Sequence, residues 1–280
     1  MKYLNFAINM GNCAVTCEYG ILTSGRKANK KEYEAVKFGK NTEFDRDFYQ
    51  KNLMGPSAVR LIEEFAGRLP LIHDMRVLDL GCGTGLTSIF LVKEFGVQVF
   101  AVDLWIAAAE NYERIRQFDL EDKIIPIHAN AHDLPFSEGY FNAIISIDAY
   151  YYFGTGEDFL DRRMAPLLAK DGFIAVAMPG LQKEFGENVP EAIKPFWTDE
   201  VCETFHDKNW WKSLWEKSTK TTVKDCFSLR CHKTAWEDWL ECDNPYAKGD
   251  VKMMEAEQGK YFDTLALIAG LKEKSIEVRK

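Results

Sequence analysis

The sequence predicts an α/β protein, a doubly wound, mostly parallel seven-stranded sheet with an inserted, aromatic-rich helical cap. Three observations predict it. Short apolar runs alternate with amphipathic segments from residue 76 to residue 178, the pattern of a parallel sheet covered on both faces. A glycine-rich turn, Gly81-Cys82-Gly83-Thr84-Gly85, separates the first apolar run from the segment after it. Beyond Pro179-Gly180 the alternation stops, and six of the seven tryptophans (Trp197, Trp210, Trp211, Trp215, Trp236 and Trp239) follow. With 280 residues and 46% hydrophobic content, the chain can bury one large core and still carry insertions.

The elements follow in order. Residues 1–69 are expected to form an N-terminal arm and lid helices. Arg26, Lys27, Lys30, Lys31, Lys37 and Lys40 form a cationic run, read as a solvated arm, and residues 1–45 have no further assignment. Behind Gly55-Pro56, the residues Val59, Leu61, Ile62, Phe65, Ala66 and Leu69 recur at helical spacing, so a helix is expected over Ser57–Leu69. The core, residues 70–180, is expected to hold strands Arg76–Leu80, Val97–Val102, Ile124–His128, Ala143–Ile147 and Phe173–Met178. Helices are expected at Thr84–Phe95, Ala107–Phe118 and Phe159–Ala169. Residues 181–220 and 231–262 are assigned to the two parts of a helical cap. Thr221–Leu229 and Thr264–Leu271 return as strands, within segments 221–230 and 263–280, the latter ending in a tail.

Composition narrows the function. The 35 Lys+Arg against 43 Asp+Glu give a net charge of −8, which repels polyphosphate, so no nucleic-acid partner is expected. No run approaches the roughly 20 apolar residues of a membrane span. Asn5, Asn9, Gly11 and Asn12 dilute any apolar export signal after Met1-Lys2. The seven cysteines (Cys13, Cys17, Cys82, Cys202, Cys226, Cys231 and Cys242) are odd in number and lack paired spacings, so a reducing cytoplasmic location is expected.

The glycine turn is the strongest chemical signal. In an open parallel sheet, ligands bind beyond the carboxyl ends of the strands, where glycine lets backbone approach them closely. A dinucleotide fingerprint would need glycine at position 86, which is Leu86, and no Gly-Lys-Ser/Thr follows for ATP. Asp103, at the tip of the next strand, stands where a carboxylate accepts ribose hydroxyls, so the ligand is expected to contain a ribose.

Four blocks in order then carry a resemblance: Asp79-Leu80-Gly81-Cys82-Gly83-Thr84-Gly85, Asp103, Asn130-Ala131-His132-Asp133-Leu134-Pro135-Phe136, and Phe141-Asn142-Ala143-Ile144-Ile145-Ser146. Together they resemble the class I S-adenosylmethionine-dependent methyltransferases, with their Rossmann-like fold. The similarity is greatest to the small-molecule branch that includes ubiquinone and menaquinone C-methyltransferase-like enzymes, and it covers roughly residues 70–180.

The resemblance implies S-adenosylmethionine as cofactor and S-adenosylhomocysteine as product. It implies that Gly81 and Gly83 pass close to the methionine part, Asp79 helps hold its amino group, Asp103 takes the ribose and Leu104 packs on the adenine. Asn130 and Ala131 would read the adenine edge, and Cys82 and Ile147 complete the expected contact set. The segment Phe48–Pro56 would close over the cofactor, with Tyr49 as its lid residue. Two positions depart from the family pattern: Asn130 and Asn142 stand where aspartate is usual. The Asn130 carbonyl can still accept from the exocyclic amine, though as a weaker, neutral acceptor.

Methyl transfer from a sulfonium is an in-line displacement that needs alignment and a dry cavity, and a base only where the acceptor must lose a proton. Asp148 and Tyr151, after the fourth strand, are the candidates to orient or deprotonate a small-molecule acceptor. His128 and His132 are read as hydrogen-bonded structural residues. Trp210, Trp211 and Trp215 have two readings, burial of a cap helix or the wall of an apolar or cationic acceptor pocket. An aromatic cage would suit an amine, an apolar slot a quinone, a phenol or a lipid. Asp243-Asn244-Pro245-Tyr246 spells a nucleic-acid amino-methyltransferase tetrapeptide but lies in the cap, outside its usual context. Cys226, Cys231, His232 and Cys242 are read as free side chains rather than zinc ligands. Two other functions fit the same cofactor: a binding sensor or accessory protein without acceptor, and cyclopropane-synthase-like lipid modification.

Overall fold

The computed structural model describes residues 34–272. The expected arm up to residue 33, with Arg26, Lys27, Lys30 and Lys31, lies outside the described residues, as do Cys13, Cys17 and the tail 273–280. The described part of the region left unassigned above begins with a hairpin of β1 (Ala35–Phe38) and β2 (Thr42–Asp45), paired antiparallel. A distant carboxylate closes it: Glu94 accepts from Lys40 N, Asn41 N and Thr42 Oγ1 at 2.9, 2.8 and 2.7 Å.

Helix α1 (Arg46–Asn52) follows, capped by the Asp45 side chain, which accepts from Phe48 N. Helix α2 (Ala58–Ala66) is capped in the same way by Ser57 and buries Val59, Leu61, Ile62, Phe65 and Ala66, the stripe expected from their spacing. Then come β3 (Arg76–Leu80), α3 (Leu86–Phe95), β4 (Gln98–Asp103), α4 (Ala108–Arg116), β5 (Ile124–His128), β6 (Phe141–Ile147) and β7 (Leu168–Leu181). Helix α3 starts two residues later than expected because Gly83 and Gly85 hold φ of 53° and 86°, outside helical space. The helix expected over Phe159–Ala169 is instead a π turn, Leu160–Met164, and a 3₁₀ turn, Ala165–Leu167. Pro166 sits at the head of the 3₁₀ turn, where its missing N–H prevents a continuous α-helical ladder.

The rest of the chain supplies α5 (Asp199–Thr204), α6 (Lys208–Glu216), β8 (Thr221–Ser228), α7 (His232–Leu240), α8 (Pro245–Glu257) and β9 (Phe262–Leu271). The sheet order is β5-β4-β3-β6-β7-β9-β8. From β5 to β7 every pairing is parallel, and β9 runs antiparallel between β7 and β8. The fold class is therefore as the sequence predicted, with seven strands in the main sheet. The order reverses at β3, so its carboxyl end and that of β6 flank a crevice.

Alternate residues along the strands feed two apolar layers. Val77, Val99, Ala101, Ala143, Ile145 and Ala175 pack with α2, α3 and α7, whereas Leu78, Leu80, Phe100, Val102, Ile144 and Val176 pack with Trp211 and Trp215 of α6. The cap therefore differs from the expectation. Its first part supplies α6, a layer helix on one face, and its second supplies α7, which packs against α2 on the other face. Among the described residues, no helix is long and apolar enough to cross a membrane.

Candidate active site

The strand β3 must turn sharply at its carboxyl end, and the three glycines make that possible. Gly81 has φ of 77°, and a Cβ there would lie 2.4 Å from the Ala149 Cβ, so only glycine fits between the β3 and β6 tips. Gly81 N and Cys82 N donate to Val102 O at 2.8 and 3.0 Å, tying the turn to β4. Thr84 Oγ1 donates to Asn52 O at 2.5 Å and Asn111 Nδ2 to Gly83 O at 2.8 Å. The loop is thereby fixed on three sides, by β4, the end of α1, and α4.

Around it lies a cleft whose lining includes Asn52, Met54, Gly55, Gly81, Gly83 and Thr84, with Asp103, Trp105, Ile147, Asp148, Tyr151 and Tyr152. It brings together seven residues singled out from sequence: Gly81, Cys82, Gly83, Asp103, Ile147, Asp148 and Tyr151. Asp103 is buried at the tip of β4, where its carboxylate accepts from Gly83 N (2.9 Å), Trp105 N (2.7 Å) and Ile106 N (2.9 Å). Asp79 lies beneath the loop with no solvent exposure. Its Oδ2 accepts from Thr87 Oγ1 and Ser88 Oγ, both at 2.6 Å, while Oδ1 has no partner. Burial outweighs those two hydrogen bonds and pushes its pKa up to about 6.

Besides Asp79 beneath the loop, four expected cofactor residues, Leu104, Asn130, Ala131 and Tyr49, stand outside the cleft lining. Leu104 is half exposed, with its carbonyl bonded to His128 Nε2 at 2.7 Å. Asn130 is exposed, and its side chain accepts from His132 N at 2.9 Å, while Ala131 is buried against the second apolar layer. Tyr49 is corrected as a lid residue. It is buried in the first layer, and its hydroxyl donates to Asp238 at 2.6 Å and pairs with Ser57, so it cannot swing over the cleft without breaking both bonds. The lid segment instead contributes Asn52–Pro56 to the lining.

At the far side, β6 is followed directly by Asp148, with φ of 58°, a conformation that few residues other than glycine adopt. Asp148 N donates to Ala177 O at 2.7 Å, fixing the bend. Its Oδ1 is shielded from solvent and has no partner, and a Cβ on Gly55 would fall 2.2 Å from its Oδ2. Burial, reinforced by the charge of Asp250, holds the Asp148 carboxyl well above the usual carboxylate range. Asp250 was not foreseen. It comes from α8, and Trp239 Nε1 donates to its Oδ2 at 2.9 Å. Tyr151 is buried, with its hydroxyl pKa raised by burial and then by Asp148. Tyr152 is exposed and meets Trp105 edge-on, with ring centroids 5.2 Å apart, across the cleft.

The other sequence features have structural positions. Trp211 and Trp215 are buried against Tyr150, with centroids 5.7 and 5.5 Å away, and Trp210 stacks on His206. None of these lines the cleft. The His132 ring packs on Phe159. In the Asp243–Tyr246 tetrapeptide, Asn244 caps α8 by accepting from Tyr246 N, with Pro245 in the first turn. Cys226, Cys231 and Cys242 are free thiols, and among the described residues no three His, Cys, Asp or Glu converge as a metal site.

The glycine turn after β3 and the acid at the tip of β4 both lie within a segment that matches a known family. Residues 77–172 match the family described as "Methyltransferase domain". Among relatives, the probable protein arginine N-methyltransferase 6.2 of Oryza sativa subsp. indica is 40% identical over 68 residues, 24% of this chain and 17% of that one. The 27-O-demethylrifamycin SV methyltransferase of Amycolatopsis mediterranei is 27% identical over 97 residues, 34% of this chain and 36% of that one. The chain thus matches well under half the length of these relatives. A putative sarcosine dimethylglycine methyltransferase from Galdieria sulphuraria has the same fold, with a TM-score of 0.60 at 19% identity, covering 76% of this chain and 84% of that one.

Proposed function

We propose that the protein transfers a methyl group from S-adenosylmethionine to a small-molecule acceptor. The observation that carries this reading is the continuity of the cleft, which runs from the glycine turn and Asp103 to Asp148, Tyr151 and Tyr152. A cofactor sensor would need only the first half.

The residues fit the cofactor. Asp79 Oδ1 is an orphaned buried acceptor suited to an ammonium, and the absence of a side chain at Gly81 leaves room for close approach. Asp103 retains acceptor capacity for ribose hydroxyls beyond the backbone N–H groups it already holds. Bound S-adenosylmethionine supplies an electrophilic methyl group. The chain's own part is to position the acceptor in line with it, exclude water with Met54 and the Trp105–Tyr152 pair, and accept a proton at Asp148. Tyr151 orients the acceptor. Leu104, Asn130 and Ala131 would reach the adenine from the rim. Although the sequence blocks are similar to those of quinone C-methyltransferase-like enzymes, the polar acceptor end favours a heteroatom over a quinone carbon.

Calorimetric titration of S-adenosylhomocysteine into the wild type and Asp103→Ala tests the reading. Loss of charge-assisted ribose contacts removes about 1.5–3 kcal/mol, roughly a 10- to 150-fold weaker Kd. Absence of binding by the wild type overturns it.

A further inference from the structure

The cleft is one-sided in charge. Its described lining holds two carboxylates, Asp103 and Asp148, and no Lys, Arg or His. Asp103 already accepts three backbone N–H bonds, but Asp148 Oδ1 accepts none, even though it is closed off from water. A second carboxylate, Asp250 of α8, lies outside the cleft lining, half-buried, and its charge raises the pKa of Asp148, Tyr151 and Tyr152. It is fixed in place by Trp239, whose indole N–H donates to it. Burying the Asp148 carboxylate without a cation is costly, and neither it nor the half-buried Asp250 has a salt-bridge partner among the described residues. Such an arrangement is stable in use when the missing positive charge arrives with the ligand.

We infer that Asp148 and Asp250 form the recognition end of the acceptor site, and that the acceptor is a cationic amine without a phosphate or carboxylate group. This rests on the methyltransferase reading and names its substrate class. The amine binds as its ammonium form, close to Asp148 Oδ1. Its N–H proton passes to the Asp148 carboxylate, freeing the nitrogen lone pair. A nitrogen–carbon bond then forms as the sulfonium sulfur–carbon bond breaks, and the bonding pair stays on sulfur to give the neutral thioether. The sulfonium's positive charge moves to the methylated nitrogen, which remains beside the now protonated Asp148 and the Asp250 carboxylate. Asp250 is a specificity-determining residue in this scheme: its charge raises the affinity for the ammonium without touching the methyl group. An anionic acceptor would find no partner on the lining and would face two carboxylates, an arrangement that binding energy elsewhere has to overcome.

The test uses the full chain, S-adenosylmethionine and two sets of acceptors, with S-adenosylhomocysteine release as readout. One set holds phenethylamine, N-methylpiperidine and dimethylamine; the other holds sarcosine, phosphoethanolamine and catechol. Turnover of at least one member of the first set, at a kcat/KM tenfold or more above every member of the second, is expected. Asp250→Asn is expected to raise KM for that amine about tenfold while leaving the S-adenosylhomocysteine Kd within twofold. Asp250→Glu keeps the charge and is expected to recover most of the loss, which separates charge from folding. Preference for sarcosine, phosphoethanolamine or catechol overturns the inference, as does wild-type enzyme that binds S-adenosylhomocysteine yet methylates none of the first set. A Kd for S-adenosylhomocysteine or S-adenosylmethionine that weakens in Asp250→Asn as much as in Asp103→Ala also overturns it, by showing that the carboxylates serve the cofactor. Failure of the wild type to bind S-adenosylhomocysteine at all is a different result, and takes down the methyltransferase reading beneath the inference.

Discussion

Asp79 is placed to cost the protein stability in the absence of ligand. Its carboxyl is fully buried, accepts only two hydroxyl hydrogen bonds, both at Oδ2, and leaves Oδ1 unpaired. Burial raises its pKa from 3.8 to about 6 in the folded state. Because the folded pKa lies above the unfolded one, the folded state binds more protons between about pH 4 and pH 6. Stability tied to this group is fully present below 3.8 and is lost as pH rises through about 6. A shift of about 2 units corresponds to roughly 3 kcal/mol at neutral pH, at 1.36 kcal/mol per unit. Asp79→Asn keeps the shape, lets its carbonyl accept from Thr87 and Ser88, and removes the charge. The variant is expected to be more stable than wild type at pH 7.5 by up to about 3 kcal/mol, or roughly 5–10 °C in Tm for a domain of this size. Urea unfolding at half-unit steps from pH 4 to pH 8 measures it. The gap should be small at pH 4, widen to about pH 6 and stay flat above. The same substitution is expected to weaken S-adenosylmethionine binding, since the orphaned acceptor for its ammonium is lost. A gap that does not change with pH, or a variant less stable than wild type at pH 7.5, refutes the reasoning and means that Asp79 ionises normally in the fold.

Two further outcomes follow from local geometry. Gly81→Ala forces a non-glycine residue to φ of 77° and sets its Cβ 2.4 Å from the Ala149 Cβ, which cannot rotate away. Destabilisation of about 2–5 kcal/mol by urea unfolding is expected, with loss of S-adenosylhomocysteine binding in calorimetry; wild-type stability would show that the two strand tips separate freely. Burial pushes the Asp161 carboxyl up, but bonds from Ser218 Oγ, Thr219 N and Oγ1, and Lys220 N overcome it and hold its pKa at about 2. Its folded pKa lies below the unfolded 3.8, so its contribution is present above that value and is lost as pH falls toward 2. Asp161→Asn should therefore lower stability by about 1 kcal/mol at pH 7, since solvent screens this surface site, with a gap that closes between about pH 4 and pH 2.

Sequence revealed the parts of this molecule whose cause is local. The strands Arg76–Leu80 and Ile124–His128 stand where their apolar runs put them: the first is a central parallel strand, buried on both faces after Arg76 and therefore continuous in hydrophobicity, and the second is a short apolar edge strand bounded by turns. The glycine turn and Asp103 were legible for a related reason: one strand–turn–helix unit and the next strand tip contain all the geometry they need. What escaped depends on contacts between distant segments. The β1–β2 hairpin is held by Glu94, the lid tyrosine is captured by Asp238, and the acceptor end takes Asp250 from a helix inserted between the two antiparallel strands. Six tryptophans in the C-terminal region read as one cap because composition cannot tell which face of a sheet a helix will cover. The packing divides them, Trp211 and Trp215 on one face and Trp236 and Trp239 on the other. This division shapes the site. The α7–α8 insertion packs on α2, just after the cleft-lining segment Asn52–Pro56. The Arg60–Asp238 ion pair joins α2 to α7, and Trp239, one residue on, holds Asp250. In a fold whose cofactor half is set by a local motif, the acceptor half can change by exchanging such an insertion while the glycine turn and Asp103 stay as they are.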